Sequence, residues 1–270
     1  MSQKSLDTAG CDRITDDEKE RALSMADSCT STVISPELQE QVLEYAQSIK
    51  TAYFNEVNYW NVVNKPKQYR TPTYRQFTKT IYFKMKKIIP GLKMDGDFKR
   101  VFLLLCQYFT DNPDFEKEGY SLQKGIMIQG PVGCGKTTLL KAFAQNPKQS
   151  YMFFSCRKIT YNFAVEGFKV VERFSKVETG AEDPWGKTKY GVAFDDLGTD
   201  DERKHYGDKV NVMADVILNR YDNTPNGFTH ITTNLAADQI EEVYGLRVKS
   251  RMREMFNQIV FNPQSEDRRK

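Results

Sequence analysis

Residues that bind transition metals are few in this 270-residue sequence, and they are scattered. It has two histidines, His205 and His230, and five cysteines, with no C-x-x-C pair among them. A structural zinc site needs about four such ligands at close spacing, and a disulfide framework needs paired cysteines. The sequence therefore predicts neither, and its cysteine usage is typical of a reducing cytosol.

Long hydrophobic runs are also missing. The longest aliphatic stretch, Val101 to Cys106, is far shorter than the roughly 20 residues that span a bilayer. The first thirty residues carry charges and lack the apolar segment of a secretion signal. We therefore expect a soluble, cytoplasmic protein with no membrane partner.

Charge is distributed unevenly along the chain, although the net charge is only +3. Residues 1–48 carry ten acidic and four basic side chains, whereas residues 50–87 carry nine basic side chains and one acid, Glu56. With the Pro90-Gly91 break as a boundary, this predicts three parts. They are a flexible acidic tail (1–34), a basic, aromatic, mainly helical N-terminal domain (35–91) and a larger domain (92–270).

Hydrophobic periodicity predicts different structures in the last two parts. A helix is expected over about 36–50, followed by short helices joined by turns at the prolines. From Asp97 onward, helices alternate with short apolar strands. The predicted strands are 125–129, 150–155, 190–194 and 228–232, and the main predicted helices are 97–110, 138–144, 158–175 and 207–222. This alternation favours an α/β domain with a mostly parallel sheet covered on both faces.

One run in the larger domain fits the phosphate-binding loop G-x-x-x-x-G-K-[ST] at every specified position. It reads Gly130-Pro131-Val132-Gly133-Cys134-Gly135-Lys136-Thr137 and leads into a helix at Thr138. Glycines let backbone N–H groups turn toward phosphates, Lys136 supplies a cation for the β and γ oxygens, and Thr137 offers a hydroxyl to Mg²⁺. The sequence therefore predicts a nucleoside triphosphate site with nucleotide-bound Mg²⁺ along residues 130–138.

Polar side chains follow two further predicted strands. Asp195 and Asp196 end the strand that begins at Tyr190, and Asn234 follows the next strand. Carboxyl-end residues of neighbouring parallel strands line one crevice, so Asp195 is a candidate magnesium ligand. Asp196 is a candidate for activating the attacking water and Asn234 for holding it. The alternatives are a solvated acidic loop after the strand and a plain turn residue at Asn234.

Taken in order, these motifs resemble AAA+ ATPases of the DnaC/IstB type, which comprise replicative helicase loaders and transposition helper ATPases. The similarity covers roughly residues 97–270 and includes Phe194-Asp195-Asp196-Leu197-Gly198, Thr233-Asn234 and Ser250-Arg251-Met252. The resemblance implies an AAA+ P-loop domain in which Asp195 holds Mg²⁺ and Asn234 senses the γ-phosphate. It also implies that Arg251 reaches the neighbouring subunit of a head-to-tail oligomer, with Lys136, Asp195, Asp196, Asn234 and Arg251 as the catalytic set.

Two departures from the wider AAA+ pattern modify these expectations. Asp196 stands where many AAA+ enzymes have Glu, so we expect slow hydrolysis that assembly or DNA stimulates. Only fourteen residues follow Phe256, so a full helical lid is not expected. In DnaC-like proteins a terminal arginine approaches the nucleotide, and Arg268 or Arg269 is the candidate, with a solvated basic tail as the alternative.

The basic block over residues 50–87 interleaves nine cations with nine aromatic side chains. It is interpreted as a surface for single-stranded DNA, as a small helical core with a basic exterior, or as a docking site for a partner protein. The leading hypothesis is a DnaC-like helicase loader in DNA replication, in which ATP controls assembly on a helicase and single-stranded DNA. The alternatives are an IstB-like transposition helper that binds double-stranded DNA with a transposase, and a nucleotide-gated binding module with negligible hydrolysis.

Overall fold

The computed structural model describes residues 36–63, 68–199, 203–205 and 208–268. The predicted tail over residues 1–34 and the candidate Arg269 lie outside these residues. The chain divides into two compact units, Met1–Lys67 and Gln68–Lys270. The predicted domain boundary at residue 91 therefore falls inside the second unit.

The described part of the first unit is one helix, α1 (Pro36–Val63), of 28 residues. It continues well past the predicted end near residue 50 and reaches Val63, just before the first of the prolines at which turns are expected. Neither proline nor glycine occurs between Glu37 and Asn64, so nothing in the backbone interrupts the helix. Large apolar side chains along α1 are more than one-third exposed, among them Tyr45, Ile49, Tyr53, Phe54 and Trp60.

Helix α2 (Tyr74–Ile88) belongs to the second unit because its apolar side chains are buried in the core of that unit. Thr73 caps its first turn through a reciprocal pair of hydrogen bonds with Gln76. Phe77, Ile81 and Met85 then recur at helical spacing and lie in the same core as the helix that follows. This packing explains why the compact unit begins at Gln68 and not after Gly91.

The remaining elements follow in chain order. They are α3 (Gly96–Phe109), α4 (Asp114–Lys117), β1 (Gly125–Gln129), α5 (Lys136–Ala142), β2 (Tyr151–Ser155), α6 (Cys156–Glu166), α7 (Phe168–Phe174), β3 (Glu178–Thr179), β4 (Lys189–Leu197), β5 (Arg203–His205), β6 (Asp208–Val210), α8 (Val212–Asn223), β7 (Thr229–Thr233), α9 (Ala237–Met255) and β8 (Phe256–Val260). None of the described helices is both long and apolar enough to cross a membrane.

The main sheet has the strand order β2-β4-β7-β1-β8, and every neighbouring pair in it is parallel. Strand β3 adds an antiparallel edge to β4, whereas β5 and β6 form a separate hairpin. The mostly parallel sheet predicted from the alternation of strands and helices is confirmed.

Both faces of the sheet are covered, which gives three layers. Along β1, Ile126 and Ile128 lie in one buried cluster with α2, α3 and α5. Met127, between them in sequence, lies in a second cluster with helices α6 to α9. Because side chains alternate across a strand, this division places one helical layer on each face. No helix follows β8 within residues 261–268.

A glycine accounts for one difference from the predicted helices, and a second glycine divides the segment before Phe256, where two short helices are expected. The helix expected over 158–175 is split into α6 and α7 at Gly167, whose φ is 62°. Helix α9 is kinked at Gly245, where φ is 85° and ψ is 161°. Positive φ is costly for most residues but not for glycine, so these positions set the breaks. The helix expected over 207–222 begins later, at Val212, where Asn211 caps the first turn.

Candidate nucleotide site

Strand order brings the predicted site residues to one edge of the sheet. Strand β7 pairs with both β1 and β4, and all three run parallel. Their carboxyl ends therefore lie side by side. The phosphate-binding loop follows β1, Asp195 and Asp196 end β4, and Asn234 follows β7.

The loop has the backbone that the glycine pattern predicts. Gly133 and Gly135 have φ of 83° and 103°, in the left-handed region that glycine adopts without strain. Helix α5 begins immediately afterwards at Lys136. A β-carbon on Gly133 would lie 2.0 Å from Oδ1 of Asp267, so a side chain there would displace that carboxylate.

Lys136 is almost fully buried, with 5% of its surface exposed. Its Nζ donates to the carbonyl oxygens of Gly130 and Pro131 at 2.8 and 2.9 Å, and to Oδ1 of Asn234 at 2.5 Å. The ammonium is thus held inside the loop and joined directly to the end of β7. This contact brings together the predicted phosphate-binding lysine and the predicted sensor.

Thr137 and Asp195 are also in direct contact. The Thr137 hydroxyl donates to Oδ1 of Asp195 at 2.9 Å, and the hydroxyl of Thr232 donates to the same oxygen at 2.6 Å. Burial raises the pKa of the Asp195 carboxyl above its usual value, and these two hydrogen bonds act in the opposite direction. A hydroxyl and a carboxylate at this spacing are the hard oxygen donors that Mg²⁺ prefers, and nucleotide-bound Mg²⁺ needs only one or two protein ligands.

Asp196 has an unusual backbone. Its φ is 55°, the left-handed region that few residues other than glycine adopt. The pairing of β4 with β7 is irregular between Phe194 and Leu197, on either side of the two aspartates. Such irregularities are frequent next to active sites, where they change the direction of a side chain.

A cavity of about 430 Å³ joins these residues. Its wall includes most of the predicted site: Val132, Gly133, Gly135, Lys136, Thr137, Thr138, Asp196 and Asn234. Gly130 and Pro131 contribute carbonyl oxygens to Lys136, and Cys134 is buried beneath the loop. Asp195 is 7% exposed and lies behind Thr137.

Sequence reasoning missed the apolar wall of this cavity. Ile89, Leu92 and Phe98 line it; the first two lie in the segment between α2 and α3, and Phe98 lies in the first turn of α3. The prediction assigned Ile89 to a separate domain and gave Leu92 and Phe98 no role. Pro90-Gly91 was read only as a boundary, and no motif marks these apolar side chains as ligand contacts.

Arg268 also lines the cavity. Its guanidinium packs over the Phe98 ring at 4.4 Å and is hydrogen-bonded to the Lys93 carbonyl and the Asp95 carboxylate. The backbone N–H of Arg268 donates to the carbonyl of Gly133 at 3.0 Å. Of the two arginines proposed as a terminal sensor, Arg268 therefore reaches the loop, and Arg269 is outside the described residues.

Arg251, the predicted inter-subunit residue, is not among the described residues that line this cavity. It lies on α9, where its guanidinium packs over the Tyr221 ring at 4.3 Å and donates to Tyr221 and Glu254. The structure therefore brings Lys136, Thr137, Asp195, Asp196 and Asn234 together within one chain, and leaves Arg251 apart from them.

Comparison with known proteins agrees with this architecture. Residues 126–258 match the family described as "ATPase family associated with various cellular activities (AAA)". A stretch of 53 residues is 42% identical to Cell division control protein 48 homolog B of Arabidopsis thaliana; it covers 20% of this chain and 9% of that protein. This chain thus spans less than a tenth of that relative's length.

Among solved structures, a crystal structure of the DnaC helicase loader aligns over 65% of this chain and 96% of its own, with 17% identity and a TM-score of 0.41. That likeness carries no argument about function. The family match and the sheet with its phosphate-binding loop are sufficient for the fold: residues 126–258 have an AAA+ P-loop fold.

Proposed function

We propose that this AAA+ domain binds ATP with Mg²⁺ and hydrolyses it slowly, in an oligomer that acts on DNA. One observation carries the enzymatic part of the proposal. Lys136 and Thr137 begin helix α5, Asp195 ends β4 and Asn234 follows β7. Two direct hydrogen bonds, Lys136 to Asn234 and Thr137 to Asp195, link them. The cation, hydroxyl, carboxylate and amide that phosphoryl transfer requires are thus collected at one site.

In the proposed binding mode, the triphosphate lies along the loop that precedes α5. Backbone N–H groups of the loop and the helix N-terminus face the phosphates, and Lys136 exchanges its carbonyl partners for phosphate oxygens. The base occupies the apolar side of the cavity, against Ile89, Leu92 and Phe98.

Thr137 and Asp195 are the residues that would hold Mg²⁺, since they are the two oxygen donors in contact beneath the loop. When bound, the ion neutralises charge on the β and γ oxygens of the nucleotide. Asp195 then serves as a ligand and not as a proton acceptor, which leaves proton transfer to another carboxylate.

Asp196 is proposed to orient or deprotonate the attacking water, because it lines the cavity beside Asn234. Asn234 holds that water and senses the γ-phosphate through its contact with Lys136. The Asp196 carboxylate is one methylene shorter than the Glu of many AAA+ enzymes. Slow turnover is the expected consequence.

In this proposal, the neighbouring subunit of the oligomer supplies a further positive charge to the ATP site. Arg251 lies apart from its own cavity and is paired on the surface with Tyr221 and Glu254. An arginine that serves the neighbouring subunit must be accessible in this way. Head-to-tail packing would bring it to the next nucleotide, where such residues accelerate transfer by about 10³ to 10⁵.

DNA binding is proposed for the basic surface of α2. This helix carries five basic side chains and no acid: Arg75, Lys79, Lys84, Lys86 and Lys87. A groove of about 510 Å³ between α2 and α3 adds Tyr74 and Tyr82 beside Lys99. Aromatic faces stack on unpaired bases while cations neutralise phosphates, which supports single-stranded DNA as the ligand.

The cellular role that fits these properties is that of a DnaC-like helicase loader, in which ATP controls assembly and release. Support comes from the motif order between Gly130 and Arg251. The same motifs occur in IstB-like transposition helpers, which coat double-stranded DNA, so the partner decides between the two roles. Affinity capture from the native host should recover a replicative helicase for a loader and a transposase for a helper.

ATP turnover tests the enzymatic proposal directly. We expect wild-type protein to hydrolyse ATP in the presence of Mg²⁺, faster with single-stranded DNA than without it, and Lys136→Ala to lose both nucleotide binding and turnover. A wild-type protein that binds ATP but shows no turnover with either form of DNA would instead be a nucleotide-gated binding module. Raising the salt concentration should weaken DNA binding. The slope of the logarithm of the binding constant against the logarithm of the salt concentration should be near −0.7 per phosphate contact for a single strand.

A further inference from the structure

Thr232 is a buried polar residue whose hydroxyl contacts both aspartates of the site. It lies in β7, two residues before Asn234, and is fully buried. Its hydroxyl donates to Oδ1 of Asp195 at 2.6 Å and accepts from the backbone N–H of Asp196 at 2.9 Å. A threonine hydroxyl has a single proton, so these two contacts fix its orientation.

The contact with Asp196 supports a backbone that would otherwise be unfavourable. Asp196 has a φ of 55°, and its N–H is bonded to Thr232 while its carbonyl accepts from the N–H and hydroxyl of Thr199. In a regular strand, consecutive side chains point to opposite faces. The left-handed residue breaks that alternation, and Asp196 lines the same cavity as Lys136 and Thr137.

The contact with Asp195 anchors its carboxylate to a strand outside the phosphate-binding loop. Oδ1 of Asp195 accepts from two hydroxyls, Thr137 in the loop and Thr232 in β7. Thr137 is a proposed metal ligand, whereas Thr232 is fully buried and does not line the cavity. Thr232 is therefore the partner of Asp195 that orients the carboxylate without contacting the nucleotide.

We propose that Thr232 is a positioning residue of the ATP site, whose one hydroxyl holds Asp195 in place for Mg²⁺ and Asp196 in place for water. The inference rests on the proposed ATPase function. The inference goes beyond that function because it makes the positions of both the metal ion and the attacking water depend on one side chain, which contacts neither of them. Residues that orient metal ligands in this way typically change metal affinity or activity by about 10- to 100-fold when they are replaced.

The chain provides a matched control in the next residue, Thr233. It too is fully buried in β7, and its hydroxyl also has two partners, donating to the carbonyl of Leu197 and accepting from the N–H of Leu235. Both partners are backbone groups, and neither belongs to an aspartate. Thr232→Val thus removes a buried hydroxyl that contacts the aspartates. Thr233→Val removes a buried hydroxyl from the same strand that does not contact them.

The test compares these two variants and Thr232→Ser with the wild type. Affinity for a fluorescent ADP is measured with Mg²⁺ and with a chelator, ATP turnover is measured as kcat and KM, and thermal unfolding verifies folding. For Thr232→Val we expect the gain in affinity due to Mg²⁺ to fall about 10- to 100-fold, and kcat to fall more than KM changes. Thr232→Ser should restore both, and Thr233→Val should keep the gain in affinity due to Mg²⁺ at any shared loss of thermal stability.

Three outcomes would overturn the inference. In the first, Thr232→Val keeps the wild-type gain in affinity due to Mg²⁺. In the second, Thr233→Val loses as much of that gain as Thr232→Val does, which would make the hydroxyl merely structural. In the third, the wild type itself gains no affinity from Mg²⁺, and the proposed function fails with it. A wild type that binds ADP with Mg²⁺ but does not hydrolyse ATP refutes turnover alone, because the binding comparison still decides the role of Thr232.

Discussion

His230 is a buried titratable group in the strand that carries Thr232 and leads to Asn234. It is fully buried, and its Nδ1 accepts the backbone N–H of Ile126 at 3.1 Å, which ties β7 to β1. Aromatic rings surround it, with the Tyr151 ring 4.7 Å away, and no described residue hydrogen-bonds to its Nε2. Burial lowers the pKa of His230 from 6.5 to about 3.

This pKa makes unfolding depend on pH with a definite sign. The unfolded chain binds a proton at His230 below pH 6.5, whereas the folded protein does not until about pH 3. Above pH 6.5, His230 therefore does not reduce the free energy of unfolding. Below pH 6.5, the free energy of unfolding falls as the pH is lowered toward 3. At 1.36 kcal/mol for each unit of pKa difference, the loss amounts to about 2 kcal/mol at pH 5 and about 3 kcal/mol at pH 4.

Urea unfolding of the wild type and His230→Asn at pH 7 and pH 5 measures this loss. Asparagine keeps a side-chain acceptor near Ile126 but does not titrate, so the variant should lack the histidine part of the pH dependence. We expect the wild type to lose about 2 kcal/mol more than the variant between these pH values. His205→Asn, measured in parallel, shows how much of the pH dependence of unfolding comes from the other histidine. Equal losses in wild type and His230→Asn, or a His230 ring proton that titrates near pH 6.5 by NMR, would refute the reasoning.

Three further substitutions test other parts of the structure. Gly133→Ala should weaken nucleotide binding by about 10-fold, because a non-glycine residue at φ 83° costs about 1–2 kcal/mol and its β-carbon would displace the Asp267 carboxylate; isothermal titration calorimetry with ADP measures this. Arg251→Ala should keep ATP affinity and lose about 10³-fold in turnover of the assembled protein; normal turnover would contradict its role in the neighbouring subunit. Arg220→Met should cost about 2 kcal/mol or more in urea unfolding, because the carbonyl oxygens of Phe174 and Lys176 lose the guanidinium as donor, whereas that of Phe228 keeps the N–H of Val192; an unchanged midpoint would contradict this.

The sequence was most informative where one residue type alone suits a position. The loop from Gly130 to Thr137 requires glycine at positive φ and a lysine beside the phosphates, so its motif predicted both the location and the backbone. Strands β1, β2 and β7 were predicted within about a residue of their bounds, since each is a short apolar run between turn signals. The adjacency of Asp195 and Asn234 followed from parallel strands alone.

Other features depend on contacts that are distant in sequence. The domain boundary was placed at Pro90-Gly91 because local signals cannot reveal that Phe77, Ile81 and Met85 pack against α3. The apolar side of the cavity, with Leu92 and Phe98, was missed for the same reason. Thr232 was overlooked because a threonine in a strand is ordinary. Its role depends on two hydrogen bonds to a strand more than thirty residues away.

A crystal structure of the protein with Mg²⁺ and a non-hydrolysable ATP analogue decides whether the cavity beside Lys136 is a site for ATP and Mg²⁺. We expect the γ-phosphate within hydrogen-bond distance of Lys136 and Asn234, and the metal beside the Thr137 hydroxyl and Asp195. A triphosphate bound elsewhere, or one in this cavity whose metal lies away from Thr137 and Asp195, would rule out the proposed site.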